Sequence, residues 1–271
     1  LTPPDARQEI AQILAKAGKP VLLEKPIERD STAACQIVEM FEAANLPLGV
    51  VLQHRMRPAA IQLKAMLDSG ALGQIGVVDV RVPWWRDQGY YDVAGRGTYA
   101  RDGGGVLITQ AIHTLDLMLH LLGPVRHTTA MGGTSPLYKL EGEDFVSAGF
   151  EFTSGAMGAL MATTASFPGG SESITIHATY ASAVLDAGSL SIHWRDGRVD
   201  HIDGAAQSGG GADPMAFGPE WHCDVIAGFA QSVGAGIPPP ISGRDALGVH
   251  GLIDAMQTAR ASGQKQEVDY E

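Results

Sequence analysis

Gly103-Gly104-Gly105-Val106-Leu107-Ile108-Thr109-Gln110-Ala111-Ile112-His113-Thr114-Leu115-Asp116-Leu117-Met118-Leu119-His120-Leu121-Leu122-Gly123 is the stretch around which the chain is organised. Three glycines open it and one closes it. Between them lies a mostly apolar run of helix length. At about 100° per residue, Thr109, His113, Asp116 and His120 share one narrow sector. A wet helix face normally carries Lys, Glu or Arg, and this stripe has none. The rest of the helix is apolar nearly all round, which predicts burial on several sides. A buried polar stripe needs partners, and a cleft with a bound ligand supplies them. Two competing readings of the stripe are a solvent face and a His113/Asp116/His120 metal site. The second lacks a distant carboxylate or cysteine cluster to complete a coordination set, so no metal is expected. Asp116 is expected to orient an imidazole or to cap a backbone group.

Upstream, residues 4–18 read as a helix, Val21-Leu22-Leu23-Glu24 as a short buried strand, and 31–44 as a helix capped by Ser31. Leu48 to Leu52 forms a second apolar strand. Helix, strand, helix and strand with continuous apolar strands predict a parallel α/β arrangement. Ligands of such sheets sit at the carboxyl ends of the strands. Lys25 and Gln53-His54-Arg55 fall at those ends. A Lys beside Pro26 in a desolvated cleft can have its pKa lowered toward neutrality and move a proton. The alternative is an ordinary surface lysine at a turn.

Downstream, a helix over 58–69 precedes a long strand, Ile75 to Trp85, and a loop over 86–105 rich in Arg, Tyr and Gly. Strand-like runs follow at 125–133, 144–153, 156–166, 172–180, 183–187, 190–195 and 198–203. Tight turns between consecutive strands predict a mostly antiparallel sheet with one face or edge free for another subunit. Residues 207–214 read as a mobile loop. Helices over 219–235 and 243–262 and a strand-like Gln266–Asp269 close the chain. Trp84, Trp85, Tyr90 and Tyr91 can stack on a sugar or fill a domain junction. Gly103–Gly105 can cradle an anion before a helix, but it lacks the Lys and Ser/Thr of a phosphate loop, so tight packing is preferred.

The bulk numbers agree with a globular chain. Of 271 residues, 45% are hydrophobic and the net charge is −11, a poor match for nucleic acid or an anionic membrane. Cys35 and Cys223 lie far apart, and a cytoplasmic setting is the expectation. No apolar run is expected to reach the ~20 residues of a membrane span. Residue 1 is Leu, and Thr2-Pro3-Pro4-Asp5 reads as the cap of a helix already inside a fold, so residues ahead of it are expected.

In this order, the pieces resemble the Gfo/Idh/MocA family of NAD(P)-dependent oxidoreductases. The resemblance is carried by Ala17-Gly18-Lys19-Pro20-Val21-Leu22-Leu23-Glu24-Lys25-Pro26, Gln53-His54-Arg55, Arg96-Gly97-Thr98, Gly103–Gly123 and Pro238–Gly243. It implies an α/β remnant of a Rossmann domain over 1–54. It also implies an α+β domain with a large, mostly antiparallel sheet over 55–271, with the 104–122 helix at the junction. It further implies hydride transfer between a nicotinamide, NAD or NADP, and a carbinol or carbonyl carbon of a sugar, sugar nucleotide or cyclic polyol. By this resemblance Lys25 and His113 are the catalytic pair. Glu24, Lys25, Pro26 and Gln53 would hold the cofactor. His54, Arg55, Tyr91, Arg96, Thr109 and Gln110 would line the substrate. Thr109-Gln110 leans toward a bulky or acidic sugar, with Arg55, Arg86 and Arg96 as anion contacts. Homodimers or homotetramers built on the sheet are implied as well.

One departure is large. The Gly-x-Gly-x-x-Gly turn that holds the pyrophosphate is absent. The family pattern implies roughly 70 more residues, about two βαβ units, ahead of Leu1. The chain as given is therefore expected to bind NAD(P) poorly. The competing reading is a non-catalytic module that binds a ligand or scaffolds an oligomer without cofactor.

Overall fold

The structure, a computed structural model, describes residues 2–204 and 218–270. The loop expected at 207–214 lies outside the described residues. A 3-10 turn at Pro4–Ala6 leads into α1 (Arg7–Lys16), β1 (Val21–Glu24), α2 (Ser31–Ala43) and β2 (Leu48–Val51). β1 and β2 are parallel, with Val21 opposite Leu48 and Glu24 opposite Val51. All four residues of β2 are buried, as a strand covered on both faces requires. The cap of α2 corrects the expectation. Asp30, in extended conformation, accepts from Ala33 N at 2.8 Å, while Ser31 is the first helical residue.

A 3-10 turn at Gln53–Met56 follows β2, then α3 (Pro58–Asp68), which has its proline at the first helical position. β3 (Ile75–Pro83) opens the large sheet. The expected loop over 86–105 holds two short helices, α4 (Gln88–Tyr91) and α5 (Tyr99–Asp102). Next come a π-helical turn at Leu107–Ala111 and α6 (Ile112–Leu122). The strands β4 (Val125–Gly133), β5 (Phe145–Phe152), β6 (Met157–Thr163), β7 (Ser173–Ala178), β8 (Ala181–Asp186), β9 (Ser189–Trp194) and β10 (Val199–Ile202) lie close to their expected positions. Helices α7 (Glu220–Ala235) and α8 (Gly243–Ser262) and strand β11 (Gln266–Glu267) close the chain.

The nine-stranded sheet runs β10-β9-β8-β7-β3-β6-β5-β4-β11. It is antiparallel except at its centre, where β3 runs parallel to β6. A simple succession of hairpins does not describe it: β3 is inserted between β6 and β7, strands far later in the chain. Strict alternation sets the faces. On β5, Val146, Ala148, Phe150 and Phe152 are buried, and the residues between them are half-buried. Helices α3, α6 and α8 lie on the inner face. The opposite face carries Met131, Met157 and Val77, all exposed.

Tyr99–Leu122 corrects another expectation. By length and composition this 24-residue run is apolar enough to cross a membrane, and 78% of its apolar window is buried inside the protein. It is the central core element, with Leu107, Ile112, Leu115 and Met118 fully enclosed.

Candidate functional site

Lys25 leaves the carboxyl end of β1 and is held from below. The Arg7 guanidinium donates to the Glu24 carbonyl and, at 3.4 Å, to the Lys25 carbonyl. His250 on α8 accepts from Ile27 N at 3.2 Å. With the backbone fixed on both sides, the Lys25 ammonium reaches across to α6's entry turn and donates to the Thr109 carbonyl at 2.7 Å. Burial, reinforced by the Arg7 and Arg86 cations and opposed by Glu24 and Asp102, lowers the lysine to about 8.

The entry turn is built for close approach. Gly103 has φ +85°, and a Cβ there would strike the Arg29 backbone. A Cβ on Gly105 would lie inside the van der Waals radii of the Glu143 backbone atoms. The helix start is already satisfied from within. Glu143, just before β5, accepts from Gly105 N at 3.3 Å and Leu107 N at 3.2 Å, and its carbonyl accepts from Val106 N at 2.7 Å. A carboxylate thus occupies the place where an anion would bind, so the three glycines serve packing. The π-turn follows at once and spans the very residue that Lys25 addresses. Such widened turns recur at functional sites.

Beyond the π-turn, α6 presents His113 against His54, their rings stacked at 4.9 Å and 28°. Both imidazoles are held well below the ordinary histidine range. Burial is the main cause, and Arg57, Lys25 and His222 add positive charge. The Nδ1 atoms of both rings, the Gln53 amide oxygen and the Thr114 hydroxyl are buried without partners in the structure. These orphaned polar atoms lie at the carboxyl end of β2 and on α6, where a bound ligand would satisfy them.

Several expected ligand contacts have other partners. Arg55 binds Asp116 through two bonds, Nε to Oδ2 at 2.8 Å and Nη2 to Oδ1 at 2.5 Å, both side chains nearly enclosed. Asp116 therefore orients a guanidinium rather than an imidazole, and Arg55 braces α6 instead of standing ready for a substrate anion. The Tyr91 hydroxyl is 2.6 Å from Thr164 Oγ1, and burial raises its pKa. It fills the junction, while its neighbour Tyr90 accepts from Gln110 Nε2 at 3.3 Å. Arg96 lies over the Tyr90 ring at 4.3 Å, and Arg86 approaches the same ring at 5.7 Å. Thr109 Oγ1 donates to the Gly105 carbonyl at 2.6 Å. His120 sits at the far end of α6, its pKa pushed down to about 4, mainly by burial. Nothing in the sequence marks Glu143, Arg57, Glu172 or His250, because each acts on a residue distant in the chain or sits outside any motif. Among the described residues, no group of three His, Cys, Asp or Glu side chains is placed to hold a metal.

The Arg55–Asp116 pair is directly testable. Leaving a carboxylate buried without its partner costs about 3–5 kcal/mol. Arg55→Leu is expected to lower stability by about that much in urea unfolding, and Asp116→Asn in the same background to recover part of it. Equal stability of Arg55→Leu and the parent would remove this role.

Residues 60–184 match the model of the GFO/IDH/MocA C-terminal domain. Over that stretch, a little under half of its length, the chain is similar to the Gfo/Idh/MocA family. Relatives and solved structures extend the likeness. Oxidoreductase P35 of Formosa agariphila is 29% identical over 129 residues, 46% of this chain and 40% of that protein. The chain spans 40% and 54% of the lengths of two curated relatives that it matches, P35 being the first. The crystal structure of the WlbA dehydrogenase from Bordetella pertussis, in complex with NADH and UDP-GlcNAcA, superposes with a TM-score of 0.83 at 27% identity. That match covers 99% of this chain and 77% of the other. Levoglucosan dehydrogenase in complex with NADH and levoglucosan shares the fold at TM-score 0.85 and 21% identity, over 100% of this chain and 79% of that one.

Proposed function

We propose that this chain carries the proton-handling and substrate-binding part of an NAD(P)-dependent oxidoreductase acting on a sugar, sugar nucleotide or cyclic polyol. One observation carries the reading. The Lys25 ammonium lands on the Thr109 carbonyl, one helical turn from His113, so two groups able to exchange protons stand near each other. The WlbA and levoglucosan dehydrogenase complexes, each with NADH and a sugar-type ligand, support it.

The residues present fit a nicotinamide at the ends of β1 and β2. The unpartnered Gln53 amide oxygen and the Glu24-Lys25-Pro26 turn offer polar contacts there. The nicotinamide would supply the hydride acceptor. The chain's own residues would supply the rest. Oxidation of a carbinol requires loss of the hydroxyl proton as the C–H hydride departs. Lys25, at about 8, can accept it once the free amine appears as pH rises, and the neutral His113 is unprotonated at physiological pH. Gln110, Tyr90, Arg86 and Arg96 would line the sugar. Titrating NAD(H) and NADP(H) against the full product of the gene, followed by a screen of sugars for change in nicotinamide absorbance, tests the reading. Binding of neither cofactor by folded protein would favour the non-catalytic alternative.

The exposed sheet face is our proposed self-association surface, in a cytoplasmic protein. Met157 lies opposite Val77 in register, and both are more than half exposed. Val77→Glu with Met157→Glu is expected to shift a dimer or tetramer to monomer in sedimentation, because buried like charges oppose association. An unchanged sedimentation coefficient would exclude this face.

A further inference from the structure

Arg57 is a buried cation, 2% exposed, just ahead of α3. Its Nη2 lies 2.7 Å from His54 Nε2 and 2.8 Å from Glu172 Oε1. Its Nη1 donates to the Ala187 carbonyl at 2.6 Å, in the turn between β8 and β9. The guanidinium carbon stands 4.5 Å from the centre of the Trp221 ring on α7. Glu172 is itself held, accepting from Trp84 Nε1 at 3.2 Å. Arg57 is thus clamped from the sheet, the β8–β9 turn and α7, and one edge of it faces the imidazole that stacks on His113.

Arginine has donors and no acceptor, so His54 Nε2 must accept and its ring proton must sit on Nδ1. The ring plane is set by the same contact. We propose that Arg57 is a positioning residue that fixes the tautomer and plane of His54 and, through the stacked ring and its own buried charge, keeps His113 a neutral proton acceptor. This rests on the reading of His113 as a proton acceptor given above. The groups facing the two imidazoles are Lys25 from the end of β1, Arg57 from the turn before α3 and His222 from α7. All oppose a further positive charge. The carboxylate beside them, Glu172, is engaged by Arg57.

The test reads the imidazoles directly, by NMR of 15N-histidine-labelled protein through a pH titration. His54→Gln and His113→Asn assign the signals. In the parent, His54 is expected as the Nδ1–H tautomer and His113 as neutral throughout the stable range. In Arg57→Gln, the fixed tautomer is expected to give way to a mixture and both rings to titrate about one pH unit higher, a tenfold change in proton affinity. Arg57→Lys keeps the charge without the fork. It is expected to restore the low titration but not the single tautomer, and it serves if the glutamine variant fails to fold. Glu172→Gln, which frees Arg57 to move, should loosen the tautomer alone. Parent-like ring shifts and titration in folded Arg57→Gln, or a single tautomer with unchanged titration in Arg57→Lys, would overturn the proposal. Because these signals need no turnover, an inactive parent protein would count against the oxidoreductase reading and leave this result intact.

Discussion

Lys25→Ala is expected to lower turnover by about 10²–10⁴-fold, the usual worth of a positioned acid or base. His113→Ala should fall in the same range. Because the two groups serve one proton transfer, the double variant should be only slightly slower than the worse single one. Wild-type rates in either single variant would remove the assigned role. The pH dependence carries a second signature. With Lys25 at about 8, substrate oxidation should rise through that pH as the free amine appears, and Lys25→Ala should lose that limb. Stability has its own sign. The folded amine binds its proton less tightly than the ordinary lysine at 10.5, so burying the charged form destabilises the fold below about pH 8. That penalty fades as pH rises toward 10.5, and Lys25→Met should flatten this rise in thermal melts.

Gly105→Ala is expected to destabilise the protein by roughly 4–5 kcal/mol or more, at the upper end of single-residue effects. The added methyl would meet backbone atoms of Glu143, which cannot swing away as a side-chain tip can. The same Glu143 carboxylate caps the helix start, so displacing it would also orphan Gly105 N and Leu107 N. Gly123→Ala makes a control, because nothing lies within 4 Å of a Cβ there, although its φ of +82° adds some local strain. Similar unfolding midpoints for Gly105→Ala and the parent would show that this close approach is not required.

The fold was largely readable because its signals are local. Val146, Ala148, Phe150 and Phe152 alternate as a half-buried strand must, and Leu48-Gly49-Val50-Val51 is apolar without a break, as a strand covered on both sides must be. The position of β3 was not readable, since pairing with β6 and β7 leaves no trace in β3 itself. The site divides in the same way. Lys25 and His113 stand in short motifs that the fold brings near each other. The π-turn has no compositional mark, so a stripe drawn at 100° per residue ran through Thr109 as though the helix were regular. Asp116 found Arg55, Tyr91 found Thr164, and Glu143 capped the helix entry at Gly105, 38 positions earlier in sequence. Such pairings are decided by which loops the sheet brings together, and neither residue of a pair announces the other.

The central place of β3 also bears on how the chain is made. β3 ends at Pro83, whereas β6 begins at Met157 and β7 at Ser173. During synthesis at roughly 5–20 residues per second, both of its edges stay unpaired for several seconds. The neighbouring ribbons β4-β5-β6 and β7-β8-β9-β10 can close early, each from nearby chain, and then dock on either side of a waiting strand. That docking spans long loops and is the expected slow step. The exposed backbone of Val77 to Val82 is therefore the segment on which a nascent or heated chain would first stick to another. Chaperone dependence of the yield, more than equilibrium stability, should respond to charge placed along it.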